Sequence, residues 1–263
     1  MKRFLVVPAL VAALGVSAFA GAGATARLTS PSSGALRAYA AAPGDDDPAG
    51  APAMAVTAAD VAASNAKAAA AYDHLVAMWR GEFASVGARF HAPALARYRV
   101  AAGTACGVMR AGNASYCPGD NVIYYDEVFV AAQAKRTAAH TGTDGDMASV
   151  GIIAHEMGHA VAIQLGHVSR FPYEDEATAD CLAGAFTRQA DADGMLEQGD
   201  VDEAFDAMAM AGDPAPELTG DRRVDRRIVM SAALMGHGTY EQRMENFRSG
   251  LEGGAGACLA EFR

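Results

Sequence analysis

The sequence predicts an α+β chain that is mainly helical and carries one small sheet. Three observations lead there. Two long stretches, residues 57 to about 87 and 147 to about 249, space apolar residues three and four apart between recognisable helix caps. "NVIYYDEVFV" (121–130) concentrates β-branched and aromatic residues behind a Gly-Asp turn and reads as a strand running into a helix. "PALARYRV" (93–100) alternates and reads as a second strand. With 263 residues, 51% of them hydrophobic, the chain can build one medium domain with its own core, plus appendages.

The appendages lie at the start. "MKRFLVVPALVAALGVSAFAGAGA" (1–24) has a basic opening at Lys2 and Arg3, an apolar run from Phe4 to Phe19, and A-x-A patterns at Ala18–Ala20 and Ala22–Ala24. This is the layout of a cleaved secretory leader. An uncleaved anchor is the alternative, weakened by a run shorter than the roughly 20 residues a spanning helix needs. Residues 25–56 are rich in Pro, Gly, Ala and Asp and lack an apolar period, so they read as a linker or pro-segment. Residues 57–263 form the expected domain.

Thr57 with Asp60 forms a capping pattern that starts the first helix, whose Leu75, Met78 and Trp79 share a face and which ends near Gly87. After the strand at 93–100 comes "CGVMRAGNASYC" (106–117), a glycine-containing loop that Cys106 and Cys117 can close. That leaves Cys181 with Cys258, unless Cys181, inside a helical pattern, is a buried free thiol. "NVIYY" is either a sheet edge that pairs with an extended peptide or a core strand. The helices that follow are expected at Met147 to about Leu165, at Glu174 to about Ala192, from a capping box at Asp200–Glu203, and from about Asp221 to Ser249 with a break near Gly236. In "DRRVDRR" (221–227) the arginines lie close in sequence to Asp221 and Asp225, with Arg222 three residues from Asp225, which predicts a self-paired, solvated face. The formal net charge of −10 argues against nucleic acid as a partner.

The chemistry is concentrated in "GIIAHEMGHA" (151–160). On a helix, His155 and His159 stand one turn apart on one face, where two imidazoles can reach one zinc ion at about 2.0–2.1 Å. Glu156 points to the side of that face, able to hydrogen-bond a water without ligating the metal. A catalytic zinc takes three protein ligands. "EDEATADC" supplies Glu176 as the third, brought back on an antiparallel helix, and Asp180 one turn on to accept the N–H of a ligating histidine.

Taken in order, "YCPGDNVIYYD" (116–126), "IIAHEMGH" (152–159), "EATADCLAGAF" (176–186), "GDVDEAFDAM" (199–208), "HGTYEQR" (237–243) and the glycine-rich tail to Cys258 resemble the neutral zinc metallopeptidase family of bacteria. The resemblance runs from about Tyr72 to the C-terminus. It implies a zincin-like domain, one zinc held by His155, His159 and Glu176, Glu156 as base, Asp180 behind the ligands, and both disulfides. The expected function is then an exported zinc peptidase acting on peptide or protein substrates, free of the membrane once the leader is removed. His237, between two glycines, is a candidate donor to the developing oxyanion, with Tyr240 and Arg243 as alternatives. Two other functions stay open: an inactive zinc-stabilised binding module, and a zinc hydrolase of non-protein amides. Oligomeric state is not legible.

Overall fold

The computed structural model describes residues 55–259, so the leader and all but the end of the linker expected over 25–56 lie outside the described residues. The described chain is mainly helical with a small sheet, as expected. Its order is α1 (Ala58–Ser85), β1 (Ala94–Tyr98), β2 (Ala101–Thr104), β3 (Gly107–Arg110), β4 (Ala114–Cys117), β5 (Val122–Asp126), α2 (Glu127–Thr141), α3 (Asp146–Gln164), α4 (Pro172–Ala192), α5 (Asp200–Met210), α6 (Arg222–Met235), α7 (Tyr240–Gly253) and the short α8 (Ala255–Cys258).

Helix α1 begins where its cap predicts: Thr57 Oγ1 accepts the Asp60 N–H at 3.2 Å and the Asp60 carboxylate accepts the Thr57 N–H at 2.7 Å. Strand β5 runs directly into α2, because Asp126 ends the strand and its carboxylate accepts the N–H groups of Val128 and Phe129. The sheet order is β1-β5-β4, with β1 parallel and β4 antiparallel to β5. Strand β5 is therefore central, so of the two readings of "NVIYY" the core strand holds and the peptide-binding edge does not. Its Ile123, fully buried, belongs to the core. The free edge next to α3 belongs to β4 instead. Strands β2 and β3 form a separate hairpin within the stretch expected to be loop, and the Cys106–Cys117 disulfide fastens it to β4.

Helix α3 runs through the core. Ile153, Ala154, Met157, Ala160 and Val161 are buried against Leu75, Trp79 and Phe83 of α1, Ile123 of β5, and Leu182 and Phe186 of α4. A helix wrapped this fully cannot leave its first N–H groups unpaired. Gly145, at φ +75, supplies no side-chain cap, and a Cβ there would lie 2.0 Å from the Ala134 carbonyl oxygen. The cap comes from another helix. The fully buried Glu203 of α5 accepts the N–H groups of Gly145 and Met147, each at 3.1 Å. This corrects the capping box expected at Asp200–Glu203: α5 starts from Gly199 with no side-chain cap, and Glu203 serves α3.

Two close backbone approaches lock the helices that follow. A Cβ at Gly158 would stand 2.9 Å from the Ala179 Cα and carbonyl oxygen, so α3 and α4 cross at nearly backbone distance. Helices α4 and α7 meet through glycines from both sides. A Cβ on Gly184 would lie 2.0 Å from Phe247 O, and one on Gly250 would lie 1.7 Å from Cys181 O. The Cys181–Cys258 disulfide, with Cα atoms 5.5 Å apart, closes the same junction, and there are no free cysteines among the described residues. Helix α6 packs against α4. The self-pairing expected of its arginines does not form: Asp221 caps the helix, and Asp225 accepts from Thr219 and Gly220.

The α4–α7 junction generates a test. Gly250→Ala forces the backbones apart and should lower stability by about 1–3 kcal/mol in denaturant unfolding. Gly256→Ala, where a Cβ meets nothing within 4 Å, should stay within about 0.5 kcal/mol of wild type. Equal stability of the two variants would mean that the junction is not close-packed.

Candidate metal centre

His155 and His159 project from one face of α3, with ring planes 89° apart and Nε2 atoms 3.2 Å from each other. Helix α4 returns antiparallel after a short turn and brings Glu176 to them. Its Oε2 lies 3.1 Å from His155 Nε2 and its Oε1 3.5 Å from His159 Nε2. The buried Oε2 nonetheless has no hydrogen bond of acceptable geometry. Three lone-pair bearers thus converge on one point without satisfying each other. The spacing fits a zinc ion: three corners of a tetrahedron with 2.0–2.1 Å bonds stand about 3.3 Å apart. His155, His159 and Glu176 form a compact group in which all ligand atoms lie within 4.8 Å of one another.

Behind them Asp180, fully buried, places Oδ1 2.8 Å from His155 Nδ1. That carboxylate fixes the tautomer: Nδ1–H faces Asp180, and the Nε2 lone pair faces the ligand group. The same oxygen accepts Arg243 Nη2 at 2.6 Å, and Arg243 Nη1 donates to the Ala211 carbonyl at 3.1 Å. Arg243 is 5% exposed and is the cation that offsets a buried Asp180. The sequence marks Arg243 as an alternative donor in the cleft; the structure gives it this supporting place. The signal for its structural place was there: Arg243, Phe247 and Gly250 recur at i, i+4 and i+7, and all three are buried.

Electrostatics follow from this packing. Burial opposes a charge on His155, but the neighbouring carboxylates of Asp180 and Glu176 outweigh burial and raise its pKa to about 10. Burial likewise opposes charge on Glu176, yet the two histidines hold its carboxyl well below the usual carboxylate range.

Glu156 is buried beside the group and outside it. Its Oε2 accepts the N–H of Tyr116 on β4 at 2.7 Å. These residues open onto a cavity of about 290 Å³. His155, Glu156, His159, Glu176, His237 and Arg243 give it a polar lining, to which Phe129, Ile152, Met208 and Met210 add apolar surface. None of those apolar residues was singled out from sequence, since each lies on an ordinary helical stripe. His237 stands at the rim: its ring is 61% exposed, Nδ1 is 3.8 Å from Asp213 Oδ1, and its backbone N–H donates to Asp213 Oδ2 at 2.6 Å. Tyr240, in the first turn of α7, is half exposed and does not line the cavity. A second acidic group, Asp144, Asp146, Asp200 and Glu203, surrounds the start of α3. Three of its carboxylates are engaged: Asp146 by Lys67, Glu203 by the backbone N–H groups of Gly145 and Met147, and Asp200 by that of Glu197.

Over residues 40–262 the sequence matches the family described as "Putative neutral zinc metallopeptidase". The chain belongs to that family. The match opens within the stretch read as linker, earlier than Thr57. Family membership and the donor set agree on zinc. Among curated proteins the chain is 31% identical, over 200 residues, to the uncharacterized protein YpfJ of Escherichia coli K12 and to its counterpart in Escherichia coli O6:H1. The alignment covers 70% of this chain and 66% of each relative, so the chain spans just under two thirds of their length. No solved structure matches it.

The Asp180 contact can be tested apart from the ligands. Asp180→Asn keeps the shape but removes the charge that orients His155, and should weaken zinc binding about 10- to 100-fold in a chelator competition. An unchanged zinc affinity would show that Asp180 does not tune the ligand.

Proposed function

We propose that the protein is an exported, zincin-type peptidase that holds one zinc on His155, His159 and Glu176 and uses Glu156 as general base. The observation that carries this reading is the pairing of a three-donor group with a separate carboxylate on the same wall of the cavity. A purely structural zinc site would close with four ligands and would have no use for Glu156. The domain reading that accompanies it is a leader over 1–24, a linker or pro-segment over 25–56, and the peptidase domain over 57–263. Among the described residues no helix is long and apolar enough to cross a membrane.

When bound, zinc supplies Lewis acidity, which acidifies a water and polarises a carbonyl. The chain's own residues do the rest. Glu156 is held through Oε2 by the Tyr116 N–H, leaving Oε1 to take a proton and later pass it to the leaving nitrogen. His155 is kept from rotating by Asp180, and Asp180 is held in place by Arg243. The edge of β4 supports peptide binding. Asn113 turns its carbonyl to β5, accepting the Asp126 N–H, while Tyr116 turns its N–H to the cavity. By the alternation of a strand, Ala114 faces the same way, and an extended peptide can pair there. The apolar wall of Phe129, Ile152, Met208 and Met210 suits an apolar side chain of that peptide. His237, at the rim with Asp213 beside its ring, can donate to a carbonyl oxygen as charge develops on it.

The test is zinc-dependent cleavage of a random peptide library. Glu156→Gln should retain zinc and fold normally while losing on the order of 10²–10⁴ in rate. His237→Ala should keep zinc and lose on the order of 10²–10³ in kcat. Near wild-type cleavage by Glu156→Gln would remove the base from this mechanism. Loss of zinc from His237→Ala would make that residue a ligand, not a donor. A library left intact while simple acylated amines are hydrolysed would favour a non-protein amide substrate.

A further inference from the structure

Helix α6 belongs to an excursion, residues 214–237, whose two ends are sewn together at the cleft rim. The Asp213 N–H donates to the Gly238 carbonyl at 2.8 Å, and Asp213 bridges to Thr239. Half-buried Asp225 and Ile228 face inward. Outward, Arg223, Arg227, Met230 and Leu234 recur at i, i+4, i+7 and i+11 and form one stripe, with Arg226 beside it. Met230 and Leu234 are 47% and 46% exposed. Arg222, Arg223, Arg226 and Arg227 make no ion pair among the described residues, since the acids nearest in sequence are spent on the helix cap and the preceding turn.

We propose that this stripe docks the protein on an anionic lipid surface. A solvent-facing row of two arginines followed by methionine and leucine offers an anionic headgroup layer both charge attraction and apolar side chains to insert. Each arginine near such a surface is attracted, and the apolar tips enter between the headgroups. The chain as a whole carries a net charge of −10 even with these arginines counted, so its remainder is repelled and this face is favoured in the approach. A second copy of the chain is a poor occupant, because two such stripes would bring arginines face to face. The contact goes beyond the peptidase reading and does not depend on it. It would place the cleft rim, where His237 stands, close to the membrane plane.

The test is co-sedimentation of the purified full chain with vesicles of phosphatidylcholine alone and of phosphatidylcholine with phosphatidylglycerol. Comparing lipid compositions and variants cancels any contribution of the leader. Wild type should bind the anionic vesicles at least about tenfold more tightly than the neutral ones, and high salt should weaken this. Arg223→Glu with Arg227→Glu, and separately Met230→Ser with Leu234→Ser, should each lose about tenfold or more of the anionic preference. Circular dichroism checks that both double variants stay folded. Equal binding to the two vesicle types, or charge-reversed protein that binds like wild type, overturns the proposal. So does full competition by polyglutamate with binding as tight as to the vesicles, which would make the stripe a site for acidic polypeptides.

Discussion

One buried carboxylate organises the site. Asp180 Oδ1 meets His155 Nδ1 at 2.8 Å and Arg243 Nη2 at 2.6 Å, and so joins three helices at a single atom: α3 through the histidine, α4 through Asp180 itself, α7 through the arginine. An ionised carboxylate with no exposure is costly unless a cation and hydrogen bonds meet it. Arg243 meets that need only if α7 lies tightly on α4. The glycines at 184 and 250 bring α7 that close, and the Cys181–Cys258 disulfide, one residue from Asp180, ties α4 to α8, which follows α7 directly. What looks like general packing of the C-terminal half therefore bears directly on where His155 points.

The other end of α3 is fixed by a comparable device. Glu203 caps two N–H groups of α3 from a separate helix, so α5 holds the start of the ligand helix while α4 and α7 hold its middle. Met208 and Met210 of the same α5 then line the cavity. The ligand helix and the wall of the cleft share supports, and displacement of α5 would disturb both.

Much of this was legible in the chain. The i, i+4 histidines and the later Glu176 and Asp180 follow from helical periodicity, and local periodicity is what a sequence displays most directly. The Thr57 cap, the strand-to-helix passage at Asp126 and both disulfides were readable for the same reason, or because few pairings were available. What was not legible depends on tertiary pairing. Whether "NVIYY" is edge or centre is decided by β1, which arrives in parallel from outside the local stretch. Glu203 has a local reading as its own helix's cap, and only the approach of α3 shows otherwise. The arginines of α6 have acids at the right spacing, but a cap and a turn claim those acids first. Arg243 was visible as a charge on an apolar stripe, a pattern that asks for a buried partner.

The central claim is that two imidazoles and one carboxylate, rather than the acidic group at the start of α3, hold the zinc. X-ray absorption at the zinc edge of the loaded protein tests it directly. The account predicts a four-coordinate zinc with nitrogen and oxygen neighbours at about 2.0–2.1 Å and the outer-shell scattering of two imidazoles. An all-oxygen shell without imidazole scattering, or a site closed by four protein ligands, would contradict it.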